Sequence, residues 1–321
     1  MMFKRKRKNI IIFVVGCFCG IYLENILKKY MDRRFYSNQE DTNNTWHLVP
    51  EKHNIKNGAL YFTGKNLYHK NSEASNYFHS IPILCWVLTT KDTLHTKAQA
   101  VKDTWGQRCQ VLLFFSSEDD PSFPAISLDV KEGYMNLHEK VKAAWRYIFK
   151  HHSKDASWFI KADDDTFLIM ENLRYFLSSY SSSDKLFFGR NLWHHSTDYN
   201  SGGAGYVFSR QTLIEYFSIS KTCESKSNAE DVAVAACLKK VGITPSDTRD
   251  DDGRETFHPF APDFHLIPGS IGKDNWLYQR SRWELVEGVG CCSKYSIAFH
   301  YTTTKRMYLL NYYLYVLKKG F

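Results

Sequence analysis

The sequence predicts an α/β protein with a Rossmann-like, mostly parallel central sheet and helices on both faces. Two observations carry this reading. Apolar runs of strand length, at 81–90, 111–115 and 158–162, alternate with segments of helical periodicity, the pattern left by strand–helix crossovers. The third run feeds directly into Asp163, Asp164 and Asp165. In a parallel sheet, ligands bind at the C-terminal ends of the strands.

From the N-terminus, Lys4-Arg5-Lys6-Arg7-Lys8 forms a basic block ahead of an uncharged apolar run, 10–23. That run falls short of the roughly 20 residues of a usual spanning helix, and the polar flanks Asn9, Glu24 and Asn25 can be drawn to the headgroups. No small-residue cleavage site follows, and positive charge stays on the cytoplasmic side. The expected layout is a cytoplasmic tail (1–9), a signal-anchor transmembrane segment (10–27), a luminal stem (28–79) and a luminal catalytic body (80–321). The stem is polar and weakly patterned, with local structure expected at 59–62. Asn43-Asn44-Thr45 is a glycosylation sequon there.

In the body, 81–90 reads as a strand ending in Thr89-Thr90, and 96–105 as the helix after it. A strand at 111–115 runs into the acidic loop Glu118-Asp119-Asp120. Leu137, Val141, Ala144, Trp145 and Ile148 recur at helical spacing and predict an amphipathic helix packed on the sheet. The strand bearing the aspartates comes next, followed by a helix at 170–177 and a strand at 186–188. Ser201-Gly202-Gly203-Ala204-Gly205 opens as a turn and continues into a strand. It lacks the Lys-Ser/Thr ending of a mononucleotide loop and the following helix of a dinucleotide fingerprint. Glycines there suit a backbone passing close to a ligand. A helix begins at 229–235 with Glu230 and Asp231 in its first turn, where capping is the plain structural role. Beyond Pro245 the chain is loop-rich and aromatic until Phe299-His300-Tyr301 closes a strand.

The net charge of +8 owes five charges to the N-terminal block, and the remaining Lys and Arg are dispersed. No basic stripe exists for nucleic acid. Of eight cysteines, Cys17 and Cys19 lie in the apolar run. The other six are an even luminal set that favours disulfides. Proximity pairs Cys85 with Cys109 and Cys223 with Cys237, leaving adjacent Cys291 and Cys292; a crossed pairing is the open alternative. Their spacing does not suit a zinc site.

Asp163 and Asp165, one residue apart, can grip a hard divalent cation, and a cation there can neutralise a diphosphate leaving group. A solvated acidic turn is the competing reading.

Several pieces, in order, resemble the inverting β1,3-glycosyltransferases. They are Val101-Lys102-Asp103-Thr104-Trp105-Gly106 with Arg108-Cys109, Phe159-Ile160-Lys161-Ala162-Asp163-Asp164-Asp165-Thr166, Asn172-Leu173-Arg174-Tyr175, and Phe188-Gly189-Arg190. Ser201-Gly202-Gly203-Ala204-Gly205-Tyr206-Val207, Glu230-Asp231-Val232, Thr256-Phe257-His258-Pro259-Phe260, Gly290-Cys291-Cys292 and Phe299-His300-Tyr301 complete the series. The resemblance spans about Pro82 to Tyr308 and is nearest the core 1 branch, which moves galactose from UDP-galactose to the N-acetylgalactosamine (GalNAc) of mucin-type O-glycans.

That resemblance implies a GT-A-type fold in a single-pass type II Golgi membrane protein. It implies Mn²⁺ held by Asp163, Asp165 and His300, a set of hard carboxylates with one imidazole that suits that ion. It implies Asp231 as general base, although reach alone would also admit Glu230. The nucleotide sugar would be met by Thr89, Thr90, Lys97, Asp103, Trp105, Arg108, Asp163, Asp164, Gly202 and Gly203. Trp276, Tyr278 and Trp283 are candidates to stack on a GalNAc-bearing glycoprotein or glycopeptide. A second copy of the chain and a dedicated chaperone are the expected protein partners. The chain departs from the family in having fewer Trp and Tyr around 274–282 and a more acidic loop at Asp250-Asp251-Asp252-Gly253-Arg254. A paralogue with another acceptor or donor, or a non-catalytic chaperone of the same fold, is therefore the alternative.

Overall fold

The structure, a computed structural model, describes residues 54–317 apart from 57, 66, 71, 195, 196 and 224–226. The tail, the anchor, Cys17, Cys19, Asn43 and the first part of the stem lie outside the described residues. Among the described residues, no helix is long and apolar enough to cross a membrane.

The main sheet has eight strands: β1 (Asn54–Lys56), β2 (Ala59–Tyr61), β3 (Ile83–Leu88), β4 (Val111–Ser116), β5 (Ala125–Ser127), β6 (Trp158–Asp163), β8 (Phe187–Gly189) and β11 (Tyr206–Ser209). Their spatial order is β1-β2-β4-β3-β6-β11-β8, with β5 beside β4. A three-stranded sheet joins β7 (Phe167–Leu168), β12 (Phe257–His258) and β13 (Ala298–Phe299). A hairpin joins β9 (Asn191–His194) to β10 (Thr197–Asn200).

The sheet is mixed, which corrects the expectation of a mostly parallel one. β3 runs parallel to β4 and β6, and β5 to β4, but β2, β11 and β8 enter antiparallel. A strand buried on both faces reads as the same apolar run in either direction, so local pattern does not reveal its sense.

Alternation along β3 explains the two layers. Leu84, Trp86 and Leu88 face a core with Val141, Ala144, Trp145 and Ile148 of the helix Leu137–His152. Ile83, Cys85 and Val87 face a second core with Leu94, Val101, Trp105 and Leu173. Trp145 stacks on Phe208 of β11 at 4.3 Å between centroids, locking that long helix over the antiparallel half of the sheet.

Two segments differ from expectation. The helix expected at 96–105 is broken into a π turn (Leu94–Ala98), a short α segment (Gln99–Asp103) and a 3-10 turn (Trp105–Arg108). Thr104 leaves helical geometry, and its Oγ1 bonds back to Ala100 O at 2.6 Å, a local competitor of the helix ladder. The packed body also reaches back before residue 80. β2 pairs with β4 with Ala59 and Leu60 fully buried, and the helix Glu73–Ser80, capped by Ser72, sets Phe78 beneath the Arg174 guanidinium. Cys85–Cys109, Cys223–Cys237 and Cys291–Cys292 are disulfides, so the adjacent pair is vicinal and not crossed.

Candidate active site

The acidic motif stands where β6 leaves the sheet. A fully buried run carries the strand to Ala162; the chain then turns so that Thr166 N–H donates to Asp163 O at 3.1 Å and re-enters pairing as β7. β7 matters because it pairs antiparallel with β13, setting Phe299 opposite Phe167. That register delivers His300, far away in sequence, to the aspartates. Thr302 N–H then donates to Asp165 O at 2.8 Å and fastens the segment.

The result is a cluster in which one ligand atom each from Asp163, Asp165 and His300 lie within 4.8 Å of one another. His300 Nε2 is 3.1 Å from Asp165 Oδ1 and 3.8 Å from Asp163 Oδ2. Two carboxylates and one imidazole are a donor set able to hold a divalent cation. Behind His300 its ring stacks on Tyr301 at 4.0 Å between centroids, and Tyr301 holds φ of +50°, a backbone state uncommon outside glycine and enriched at functional sites.

The three aspartates occupy different electrostatic settings. Burial would raise Asp165, but the His300 hydrogen bond and charge, with Lys97 at 3.4 Å, outweigh it and hold the carboxyl at about 2. Asp164 points inward, where burial dominates and pushes it up to about 6 despite hydrogen bonds from Thr93 Oγ1 (2.6 Å) and Thr89 Oγ1 (2.8 Å). Asp163 shares its Oδ1 with the Lys161 ammonium at 2.5 Å.

The glycine turn and the helix Glu230–Lys239 close the other side. A Cβ on Gly202 would lie 2.2 Å from Glu230 Oε1, and one on Gly203 would lie 2.1 Å from the His300 ring. Both glycines are there because side chains pass through the space a Cβ would fill. Gly202 N–H donates to Asp231 Oδ2 at 2.9 Å, and Val232 N–H to Oδ1 at 2.8 Å. Burial raises Asp231 against these two bonds. Glu230 is 3% exposed, receives Tyr206 Oη–H at 3.2 Å and lies 3.2 Å from Lys161, and burial lifts it to about 7. The two acids therefore differ in kind: Glu230 is walled in, whereas Asp231 is only part-buried at the helix start.

Of the residues singled out in the sequence, Thr89, Lys97, Asp163, Asp164, Asp165, Gly202, Gly203, Glu230, Asp231 and His300 come together here. Thr90 is a neighbour, sharing Thr93 Oγ1 at 3.0 Å. Three others are not brought into the cluster by their contacts. Trp105 is fully buried core. Arg108 pairs with Glu171 at 3.3 Å and stacks on Tyr315, and Asp103 accepts from Tyr308 Oη at 2.8 Å. Trp276 connects to the site through Phe260, whose ring also meets Tyr301, each at 5.8 Å. Tyr278 and Trp283 line a separate cavity of about 650 Å³, with Trp283 under Arg249 and the Tyr278 hydroxyl on Glu287. Sequence reasoning missed Thr93, Tyr206 and the role of Lys161. A lysine at an inward position of an apolar strand was the available signal for the last.

The Fringe-like family model matches residues 79–250. A glycoprotein-N-acetylgalactosamine 3-beta-galactosyltransferase 1 of Xenopus laevis is 39% identical over 86% of this chain and 75% of its own length. A beta-1,3-glucosyltransferase of Mus musculus is 26% identical over 52% of this chain and 37% of its own length. A solved galactosyltransferase bound to donor and acceptor sugar analogues covers 74% of this chain and 98% of its own, at 10% identity and a TM-score of 0.40.

Proposed function

The chain belongs to the Fringe-like family, and from that premise we propose that it transfers galactose, with inversion, from UDP-galactose to the 3-hydroxyl of GalNAc-α-Ser/Thr. The observation that carries the reading is the Asp163–Asp165–His300 cluster joined to Asp231 through one glycine turn. The 39% identity to a galactosyltransferase of that printed specificity supports the donor and acceptor.

In this reading the fold is of the GT-A type, and Asp163, Asp165 and His300 hold Mn²⁺. Held there, the ion would supply positive charge to offset the charge that develops on the diphosphate of UDP. Lys97, beside Asp165, adds a cation on the nucleotide side with Thr89 and Thr90. Gly202 and Gly203 let the backbone lie against the sugar. Asp231 takes the proton of the acceptor hydroxyl; its two backbone donors fix the carboxylate while leaving lone pairs for that task. Glu230, buried beside Lys161 and Tyr206, serves the framework. A single base acting on the acceptor hydroxyl, without a covalent glycosyl intermediate, gives inversion. Trp276, linked to Tyr301 through Phe260, is the acceptor-side aromatic connected to the cluster, with Tyr278 and Trp283 on the separate cavity. Asp103, Trp105 and Arg108 act through the packing behind the nucleotide half.

The chain works as a homodimer, with a dedicated chaperone, in the Golgi lumen, anchored through residues 10–27 after a tail of 1–9. A luminal stem over 28–79 leads to the catalytic body over 80–321, with β2 and the helix Glu73–Ser80 of that stem already packed on the body. A donor-by-acceptor screen in Mn²⁺, with the linkage assigned by NMR, tests the reaction. Asp231→Asn is expected to lower kcat by about 10²–10⁴-fold while leaving UDP binding within two-fold. Transfer from another donor, or untouched GalNAc-peptides, would overturn the specificity. Robust turnover by the variant would move the base elsewhere.

A further inference from the structure

The least expected group in the molecule is a lysine. Lys161 sits mid-strand in β6, registered beside Trp86 on β3 and Tyr206 on β11, and is 1% exposed. Its neighbours on the same face of the strand are Phe159 and Asp163, so the local pattern asks for an apolar side chain. A buried ammonium is tolerated only when its donors are all met. Here it donates hydrogen bonds to Asp163 Oδ1 at 2.5 Å and Gly202 O at 3.1 Å, and its charge is paired with Glu230 Oε1 at 3.2 Å.

Each partner belongs to a different part of the site. Asp163 is in the cation-binding group, Gly202 is in the turn whose N–H fixes Asp231, and Glu230 begins the helix that carries Asp231. Asp163 is also split in use, with Oδ1 on the lysine and Oδ2 toward His300. A buried ion pair seldom stabilises a fold more than well-packed apolar residues would, so stability alone gives little reason for a charge here. We infer that Lys161 is a positioning residue that holds the cation-binding half and the acceptor half of the site in one fixed relation. This rests on the function proposed above, in that the two halves are those of a metal-assisted transfer.

Two variants of the full-length protein test it, with folding followed by near-UV circular dichroism and Mn²⁺ binding by loss of the free-ion electron paramagnetic resonance signal. Lys161→Gln removes a positive charge beside the cation. Electrostatics alone would tighten Mn²⁺, whereas loss of positioning weakens it, and we expect at least five-fold weaker binding. Lys161→Met with Glu230→Gln removes both charges, leaving neither unpaired. Here kcat is expected to fall at least thirty-fold while the acceptor KM stays within two-fold. Unchanged or tighter Mn²⁺ binding by the Gln variant, or wild-type kcat in the double variant, would show that Lys161 only neutralises Glu230 and would overturn the inference. Should one variant fail to fold, the other decides. Wild-type protein that binds Mn²⁺ and transfers no galactose would refute the proposed function, while the Mn²⁺ comparison would still judge Lys161.

Discussion

Replacing Gly203 by alanine inserts one carbon at the narrowest point of the site. The new Cβ would stand 2.1 Å from His300 Cε1, 2.3 Å from Nδ1 and 2.7 Å from Nε2. Restoring ordinary van der Waals contact requires the ring to retreat by about 1.3 Å. It has little room: Tyr301 stacks behind it, the Thr302 N–H bond to Asp165 O pins the following backbone, and Nε2 is held 3.1 Å from Asp165. A misplacement of about 1 Å in a positioning group costs on the order of 10²-fold in rate, or about 2.7 kcal/mol of barrier. Gly203→Ala should therefore lose about two orders of magnitude in kcat/KM, with weaker Mn²⁺-dependent UDP binding in calorimetric titration. Gly290→Ala is the control, because its added Cβ meets Val286 only at 3.7 Å. Activity of Gly203→Ala within three-fold of wild type would refute the claim that His300 acts from its observed position.

Three further outcomes follow from the same geometry. Asp165→Ala should abolish the Mn²⁺ dependence of UDP binding; equal metal-dependent affinity would relocate the cation. His265 is lowered to about 3, first by burial and then by the Arg190 charge, so the unfolded chain binds its proton more readily than the folded one. Its contribution is present above about pH 6.5 and is lost as pH falls toward 3. At pH 5 the loss is about 2 kcal/mol, roughly 4–8 °C in melting temperature, and a melting curve against pH should be flatter in His265→Asn. Equal slopes would refute it. Removing Cys223–Cys237, which are 14 residues apart, should cost about 3 kcal/mol in denaturant unfolding, and an unchanged midpoint would contradict the loop-closure account.

Local sequence determined what depends on neighbours along the chain. Continuous apolar runs of strand length marked β3, β4 and β6, which are buried on both faces, and period 3.6 marked the helix Leu137–His152, which shows its buried face at fixed spacing. Asp163 and Asp165 were legible as a cation site for the same reason, since two residues of strand end bring both carboxylates together. The matched order of family pieces pointed to His300 and Asp231. Tertiary structure alone decided the rest. The antiparallel entry of β2, β11 and β8 depends on pairing between distant segments, and an apolar run carries no sense of direction. Trp105 and Arg108 belong to a segment that matches the family yet are turned into the core and onto Glu171. Which of the adjacent acids Glu230 and Asp231 is the more buried was visible only in the fold. Lys161 had no visible role until Asp163, Gly202 and Glu230 closed around it, because a buried charge is explained only by the partners that the fold assembles.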